Sequence, residues 1–325
     1  MTGDSSFWQT HFPQPEQAHK SSNLPELWVQ NLFHHKLLKI WVPKSLGGLQ
    51  CNLAKGLCIL EQAAAHQGSL GWLINLGSGT NYFGPDFSAE LASEVFGPNT
   101  AWLGGSGRPS GNLIKDGNDW LLSGQWPWCT GAAHASAFTL NAYLPDGAIT
   151  SVVLPAHVLV KRAHWPYAGL RLTSSWEVEA IQVRVTEKQC FNVGKRKESG
   201  WPLGDLAFNG FASFCMRASW LGMLRCFLEC SASLASVKPD FARLREQLME
   251  SHAQSFELLL SAAEDFEKQS EGHCLEQQLQ ALLSKQRQEV MQAFWCGGTR
   301  MANAESPWHK AWLDLLLCGQ HTLLA

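Results

Sequence analysis

The period of the apolar residues changes twice along this chain, and that double change constrains the fold more than any single motif does. From Leu24 to about Pro98 apolar side chains recur every three to four residues, the spacing of one helical face. In "LPELWVQNLFHHKLLKI" Leu24, Leu27, Trp28, Leu32 and Leu38 share such a face, with Pro25 suited to a first turn. "VPKSLGGL" interrupts the pattern. Further helices are expected through "CNLAKGLCILEQAAAHQ", "SLGWLINLGSGTNYF" and "FSAELASEVFG", the last capped by Ser88 and stopped by Gly97 and Pro98.

Between about Ala101 and Val193 the period falls to two, and "DWLLSGQW", "SAFTLNAYL", "ITSVVLP", "VLVKRAHW" and "WEVEAIQVRV" read as short strands, with Asp146-Gly147 as a hairpin turn. From Asp205 the helical period returns in four blocks. The first, "DLAFNGFASFCMRASWLGMLRCFLECSASLAS", is apolar on nearly every face and predicts a helix packed on several sides. The expected architecture is α+β and multidomain: an N-terminal helical domain over 1–99, a central β-barrel or sandwich over 100–196, and a C-terminal four-helix bundle over 204–325.

Composition narrows the function. A chain of 325 residues, 45% hydrophobic, supports a large core. A net charge of −3 argues against a nucleic-acid footprint, and the basic run "GKRKESG" at 194–200 reads as a solvated loop. The ten cysteines show no C-x-x-C pair and no disulfide framework; Cys226 and Cys230 stand at i and i+4 with no matching pair elsewhere, so no metal is expected. The N-terminal "MTGDSSFWQTHF" has neither the basic start nor the apolar stretch of a signal peptide, and Arg225 and Glu229 break the longest apolar run. A cytoplasmic protein with no membrane span is the expectation.

The most decorated stretch is "GQWPWCTGAAHASAF", 124–138. Trp126 and Trp128 fall two apart on an expected strand and so share a face, either as core aromatics or as the wall of a site. Thr130 is an ordinary strand threonine or a ligand-facing hydroxyl, and Gly131 permits close backbone approach. Thr173 and Ser175, in "LTSSW", are turn residues or hydroxyls offered to the same ligand, and Ser106 lies in a glycine-rich loop.

Four phrases in order then resemble one family. "WVPKSLGGL", "CILEQAAAHQGSLGW", "GSGRPSGNLIKDGNDWLLSGQWPWCTGAAHA" and "WPYAGLRLTSSWEVEAIQVRVTE" are similar to stretches of the acyl-CoA dehydrogenase superfamily, nearer its two-component monooxygenases that use reduced flavin, such as the oxygenase component of hydroxyphenylacetate hydroxylase. The resemblance implies FAD or FMN, held in some members only when reduced, and a separate flavin reductase. The long apolar helix around Phe211–Leu228 predicts a partner surface, and a homodimer or homotetramer is expected. Thr130 would meet flavin N5, neighbouring backbone amides the pyrimidine edge, and Trp126, Trp128, Gly131, Ser106, Thr173 and Ser175 would complete the cofactor site. Arg243 would reach a neighbour's pyrophosphate. His321 falls where the monooxygenases carry a histidine used as a base on a phenol or on the flavin's oxygen adduct, and His134 is the second candidate.

The chain also departs from that family. No glutamate stands in "LLLCGQHTLLA", where acyl-CoA dehydrogenases carry a base, and in "KAWLD" Lys310 and Leu313 replace two arginines while Asp314 survives. No opening helix is legible before Leu24. Three readings follow: a flavin monooxygenase component acting on a small or carrier-linked apolar substrate; a non-catalytic member serving as a binding or assembly module; or an acyl-CoA dehydrogenase whose base is moved to Glu61 or Glu229.

Overall fold

Helices come first. They are α1 (Ser5–His11), α2 (Glu26–His34), α3 (Leu53–His66), α4 (Gly68–Gly79) and α5 (Ala89–Phe96). This is a computed structural model, and it describes residues 5–14, 24–195, 200–236, 238–268 and 273–324. The short α1 is an opening helix that the apolar pattern did not reveal. Ser88 caps α5 as expected, accepting from Leu91 N at 3.3 Å, and Asn52 and Gln67 cap α3 and α4 in the same way. The expected helix over 24–40 ends at His34. Lys36 takes a left-handed conformation, φ 57°, and the apolar residues after it, Leu37, Leu38, Ile40, Trp41 and Val42, are buried as irregular chain.

The strands follow: β1 (Leu103–Asp116), β2 (Asp119–Cys129), β3 (Ala137–Tyr143), β4 (Ile149–Pro155), β5 (Val160–Arg162), β6 (Trp176–Val185) and β7 (Cys190–Phe191). They form one sheet in the order β5-β6-β2-β1-β3-β4-β7. Of the expected barrel or sandwich, the barrel is corrected: the sheet does not close. Among the described residues the outer strands β5 and β7 are three and two residues long and do not pair with each other.

The longest strand, β1, was expected as a glycine-rich loop leading into a strand. Its glycines are what let it pair parallel to β3: a Cβ on Gly105 would sit 2.4 Å from Thr139 Oγ1. Ser106 is thus a strand residue, not a loop residue. The Asp146-Gly147 turn does join β3 to β4, Tyr143 facing Ile149 across the hairpin and Gly147 at φ 85°. The imperfect alternation of β6 has a cause as well. Gln182 is left-handed, φ 49°, within a register shift, so Val178 and Ala180 point inward before it and Val185 after it, while Ile181 is exposed.

Helices then return as α6 (Phe208–Cys230), α7 (Ala232–Ala235), α8 (Pro239–Glu267), α9 (His273–Gly297) and α10 (Pro307–Cys318). The apolar α6 packs on α3 and α4 as well as on α8 and α10. A Cβ on Gly222 would fall 2.2 Å from the Glu61 carbonyl, so α3 and α6 are in near backbone contact. This corrects the expected partner surface over Phe211–Leu228: its apolar faces are covered by helices of the same chain. One core cluster runs from Trp8 through Leu113, Trp126 and Phe138 to Leu315. Most of the basic loop at 194–200 lies outside the described residues. Among those described, no helix is long and apolar enough to cross a membrane.

Candidate functional site

At the end of β2 the two tryptophans part company. Trp126 is fully buried and donates from Nε1 to the Asn141 carbonyl at 2.9 Å. It fills space that a Cβ on Gly111 would invade, 2.4 Å from Cζ2. Trp128 is 53% exposed. The expectation of a shared face fails because Trp128 adopts φ 62° inside a register shift between Trp126 and Cys129, and a left-handed residue turns its side chain off the alternation. Trp126 is core; only Trp128 presents a flat face outward.

Two residues after Trp128, at Thr130, a chain of three hydroxyls begins. Thr130 Oγ1 lies 2.9 Å from Ser175 Oγ, Ser175 Oγ lies 2.8 Å from Thr173 Oγ1, and Thr173 Oγ1 donates to the Leu170 carbonyl at 2.8 Å. All three residues are buried. Each hydroxyl has one hydrogen. Thr173 spends its own on Leu170, so it must accept from Ser175; Ser175 must then accept from Thr130. Every donor in the chain is used inward, and Thr130 is left with lone pairs only.

Two expected contributions are redirected. Gly131, at φ 75°, has no room for a Cβ because the Trp102 indole would lie 2.2 Å away; its bareness serves that ring, not a ligand. The backbone N–H groups of Gly131 and Ala132 are bonded to the carbonyls of Thr173 and Ser174 at 2.9 and 3.1 Å, so those two amides are not free for a pyrimidine edge. Thr173 and Ser175 stand behind Thr130 as a relay. Ser174, between them at φ 44°, has a buried hydroxyl with no hydrogen-bond partner, an orphan donor beside the relay.

The turn carrying these hydroxyls is tied to the helices by Asp314 of α10. Its Oδ1 accepts from Leu170 N at 2.6 Å, and Ser69 N at the start of α4 also donates to this carboxyl. Gly68 is required there, since a Cβ would meet Asp314 Oδ2 at 2.5 Å. Burial raises the Asp314 carboxyl from 3.8 to about 7, against the pull of the two backbone donors. This clamp was not anticipated. Its one sequence signal is a lone aspartate within the apolar "WLDLLL".

His321 packs on α4, edge-on to Trp72 at 5.9 Å, and burial lowers its pKa. Its Nδ1 accepts from Leu323 N at 3.3 Å, which leaves the ring proton on Nε2 in the neutral form. The histidine therefore offers a donor end, where a base was expected. His134 stacks on Trp102 at 5.9 Å, and burial lowers its pKa too. Ser106 and Arg243 are not drawn into this cluster: Ser106 Oγ accepts from Arg108 N at 3.4 Å, and the exposed Arg243 pairs with Asp240 one turn earlier on α8.

The relocated bases are also answered. Both Glu61 oxygens are held by Arg225, each at 2.8 Å. Burial works to raise its pKa, but the neighbouring His252 imidazole and the Arg225 guanidinium outweigh that and hold it below the usual range, so it is an occupied carboxylate. Glu229 is exposed and pairs with Arg225 at 3.6 Å. Among the cavities of the described residues, one of about 560 Å³ lies at Tyr82, Gly194 and Phe208 and one of about 650 Å³ at Glu61, Arg225 and Cys230. Neither of these is lined by Trp128 or Thr130.

No family model matches the chain. It is 25% identical over 210 residues to an indole-3-acetate monooxygenase of Pseudomonas putida, covering 62% of this chain and 53% of that protein. It is 30% identical over 159 residues to a flavin-dependent monooxygenase oxygenase subunit, HsaA, of Mycobacterium tuberculosis, covering 47% and 40%. The chain thus spans about half the length of these curated relatives. Among solved structures it resembles XiaF from Streptomyces in complex with FADH2 and glycerol, with TM-score 0.84 at 18% identity over 98% of this chain and 89% of that one. It also resembles the 3-HSA hydroxylase of Rhodococcus sp. RHA1, with TM-score 0.86 at 16% identity over 98% and 91%. A glutaryl-CoA dehydrogenase of Mycobacterium smegmatis has the same fold, with TM-score 0.79 at 14% identity over 98% and 88%.

Proposed function

From a chain that has the acyl-CoA dehydrogenase fold and is related in sequence to flavin-dependent monooxygenases, we propose the oxygenase component of a two-component flavin monooxygenase. It would take reduced FAD or FMN from a separate reductase and act on a small apolar, aromatic substrate. The observation that carries this reading is the polarity of the hydroxyl chain. An oxidised flavin has a bare lone pair at N5, whereas a reduced flavin carries N–H there. Thr130, with its hydrogen spent on Ser175, is matched to N–H and mismatched to a second lone pair. The residues fit a reduced ring better than an oxidised one.

In this reading Trp128 supplies the flat apolar wall and Thr130 the acceptor, while Ser175 and Thr173 fix which way the acceptor points. Asp314 holds the turn that carries the relay. His321 faces the substrate side as a hydrogen-bond donor through Nε2, and His134 with Trp102 backs the loop at Gly131. Ser106 and Arg243 would take part only against a second copy, and a homodimer or homotetramer would cover the exposed Trp128. Bound and reduced, a flavin supplies the two-electron activation of dioxygen; the chain's own groups orient it, exclude water and place a donor.

One observation favours a second reading. Because a leucine, Leu313, stands in place of an arginine, a binding or assembly module that no longer turns over is the alternative. A coupled assay separates the two. With an NADH-dependent reductase and ¹⁸O₂, and indole-3-acetate and simple phenols as probes, an oxygenase incorporates one labelled oxygen into a probe, and His321→Ala lowers the yield without altering reduced-flavin binding. Oxygen consumed solely as peroxide, with every probe and at the same rate in His321→Ala, would favour the module.

A further inference from the structure

The second cavity has its own chemistry, independent of the flavin reading. It lies between α1, α3 and the last turns of α6, and two thiols open into it, Cys226 and Cys230. They stand one helical turn apart on α6, at its C-terminal end. Of the nine cysteines whose placement is described, all are free. Cys226 and Cys230 are singled out because they alone line this cavity together.

We propose that Cys226 and Cys230 form a peroxide-sensitive dithiol, closing reversibly to a disulfide at the end of α6. The electrons balance in two steps. The Cys230 thiolate attacks one oxygen of hydrogen peroxide, the O–O bond breaks, and hydroxide leaves, taking up the proton the thiol lost; sulfur is oxidised to a sulfenic acid and one water is formed. The Cys226 sulfur then attacks the Cys230 sulfur, the S–O bond breaks, and a second water departs with the Cys226 proton. Two thiols and one peroxide give one disulfide and two waters, with no other reductant or oxidant required.

The assignment of roles follows from the pair's asymmetry. Cys230 is the last residue of α6 and Cys226 lies one turn inside it, where burial raises its pKa. Cys230 is therefore the attacking thiol and Cys226 the resolving thiol.

Geometry permits closure at a cost. Positions i and i+4 of a helix have Cα atoms about 6 Å apart, inside the range a disulfide accepts, but their Cβ atoms, roughly 5–6 Å apart, must approach to about 4 Å. A site in mid-helix would resist this. Cys230 is the last residue of α6, followed by Ser231 and the four-residue α7, so one terminal turn can unwind. Closure there would also disturb Arg225 and Glu229, whose ion pairs to Glu61 and to each other lie in the same turn. The bond should be readily reduced.

Peptide mapping reads this directly, because trypsin, which does not cut the Lys238–Pro239 bond, releases residues 226–243, which hold both thiols and no other cysteine. The full-length protein is treated with equimolar hydrogen peroxide, quenched, alkylated and digested. The expected result is that this peptide becomes lighter by two hydrogens and resists alkylation before any other cysteine peptide changes, and that dithiothreitol restores it. In Cys226→Ser the remaining Cys230 should stop at a sulfenic acid that dimedone captures, whereas in Cys230→Ser the remaining Cys226 should stay reduced. Earlier oxidation of other cysteines, or separate over-oxidation of the two thiols with no disulfide, would overturn the proposal. Far-UV circular dichroism of both serine variants shows whether they are folded. Should either be unfolded, the wild-type alkylation order alone decides between these outcomes.

Discussion

Single residues at the end of β2 divide structural from functional roles. Trp126 is fully buried with its indole N–H bonded, while Trp128 is about half exposed on a left-handed backbone. Trp126→Ala should cost about 3–5 kcal/mol of stability, and Trp128→Ala less than about 1 kcal/mol, as read by chemical denaturation; the flavin reading requires the second variant to lose reduced-flavin affinity all the same. Asp314 gives a test by pH. Its folded value of about 7 exceeds its ordinary 3.8, so between those values the folded chain binds a proton that the unfolded chain has released. Stability contributed by this group is therefore full below pH 4 and falls as pH rises through 7. Asp314→Asn keeps an acceptor for Leu170 N and removes the titration. Its melting temperature should lose the part of the decline between pH 4 and 7 that Asp314 contributes, and at pH 8 it should be more stable than the wild type by roughly 1–3 kcal/mol.

Among elements, the α3–α6 contact combines a near backbone approach at Gly222 with the buried Glu61–Arg225 pair. Arg225→Leu strands a buried carboxylate and should cost about 3 kcal/mol, with the Glu61→Leu/Arg225→Leu pair recovering most of it in a double-mutant cycle. This scale also shows what the sequence made legible. Helices with an apolar stripe and a capping side chain, such as α5 after Ser88, could be read directly, as could the Asp146-Gly147 hairpin. Strand β1 could not, because its glycines satisfy a packing demand set by Phe138 and Thr139 of a strand distant in the chain. The same holds for the site. Thr130 stood out beside two indoles, but the direction of its hydrogen bond depends on Ser175 and Thr173 some forty residues on, and the parting of Trp126 from Trp128 depends on one backbone angle that no composition rule supplies. The lone apolar-flanked Asp314 carried a faint signal whose partners, Leu170 and Ser69, only the fold brings together.

On the scale of the whole molecule, the chain is a mixed seven-stranded sheet set against helices from both of its ends, with α6 at the centre and the Asp314 clamp joining sheet turn to helix. The functional account rests on the proton order Thr130 to Ser175 to Thr173 to the Leu170 carbonyl. The most direct test is an anaerobic titration of the intact protein with reduced and with oxidised FAD and FMN, followed by tryptophan fluorescence and repeated on Thr130→Val. The account predicts that the wild type binds the reduced form at least about tenfold tighter than the oxidised form, the value of one matched hydrogen bond, and that Thr130→Val removes most of that preference while the chain stays folded. Binding of neither form, or a preference that survives unchanged in Thr130→Val, would contradict it.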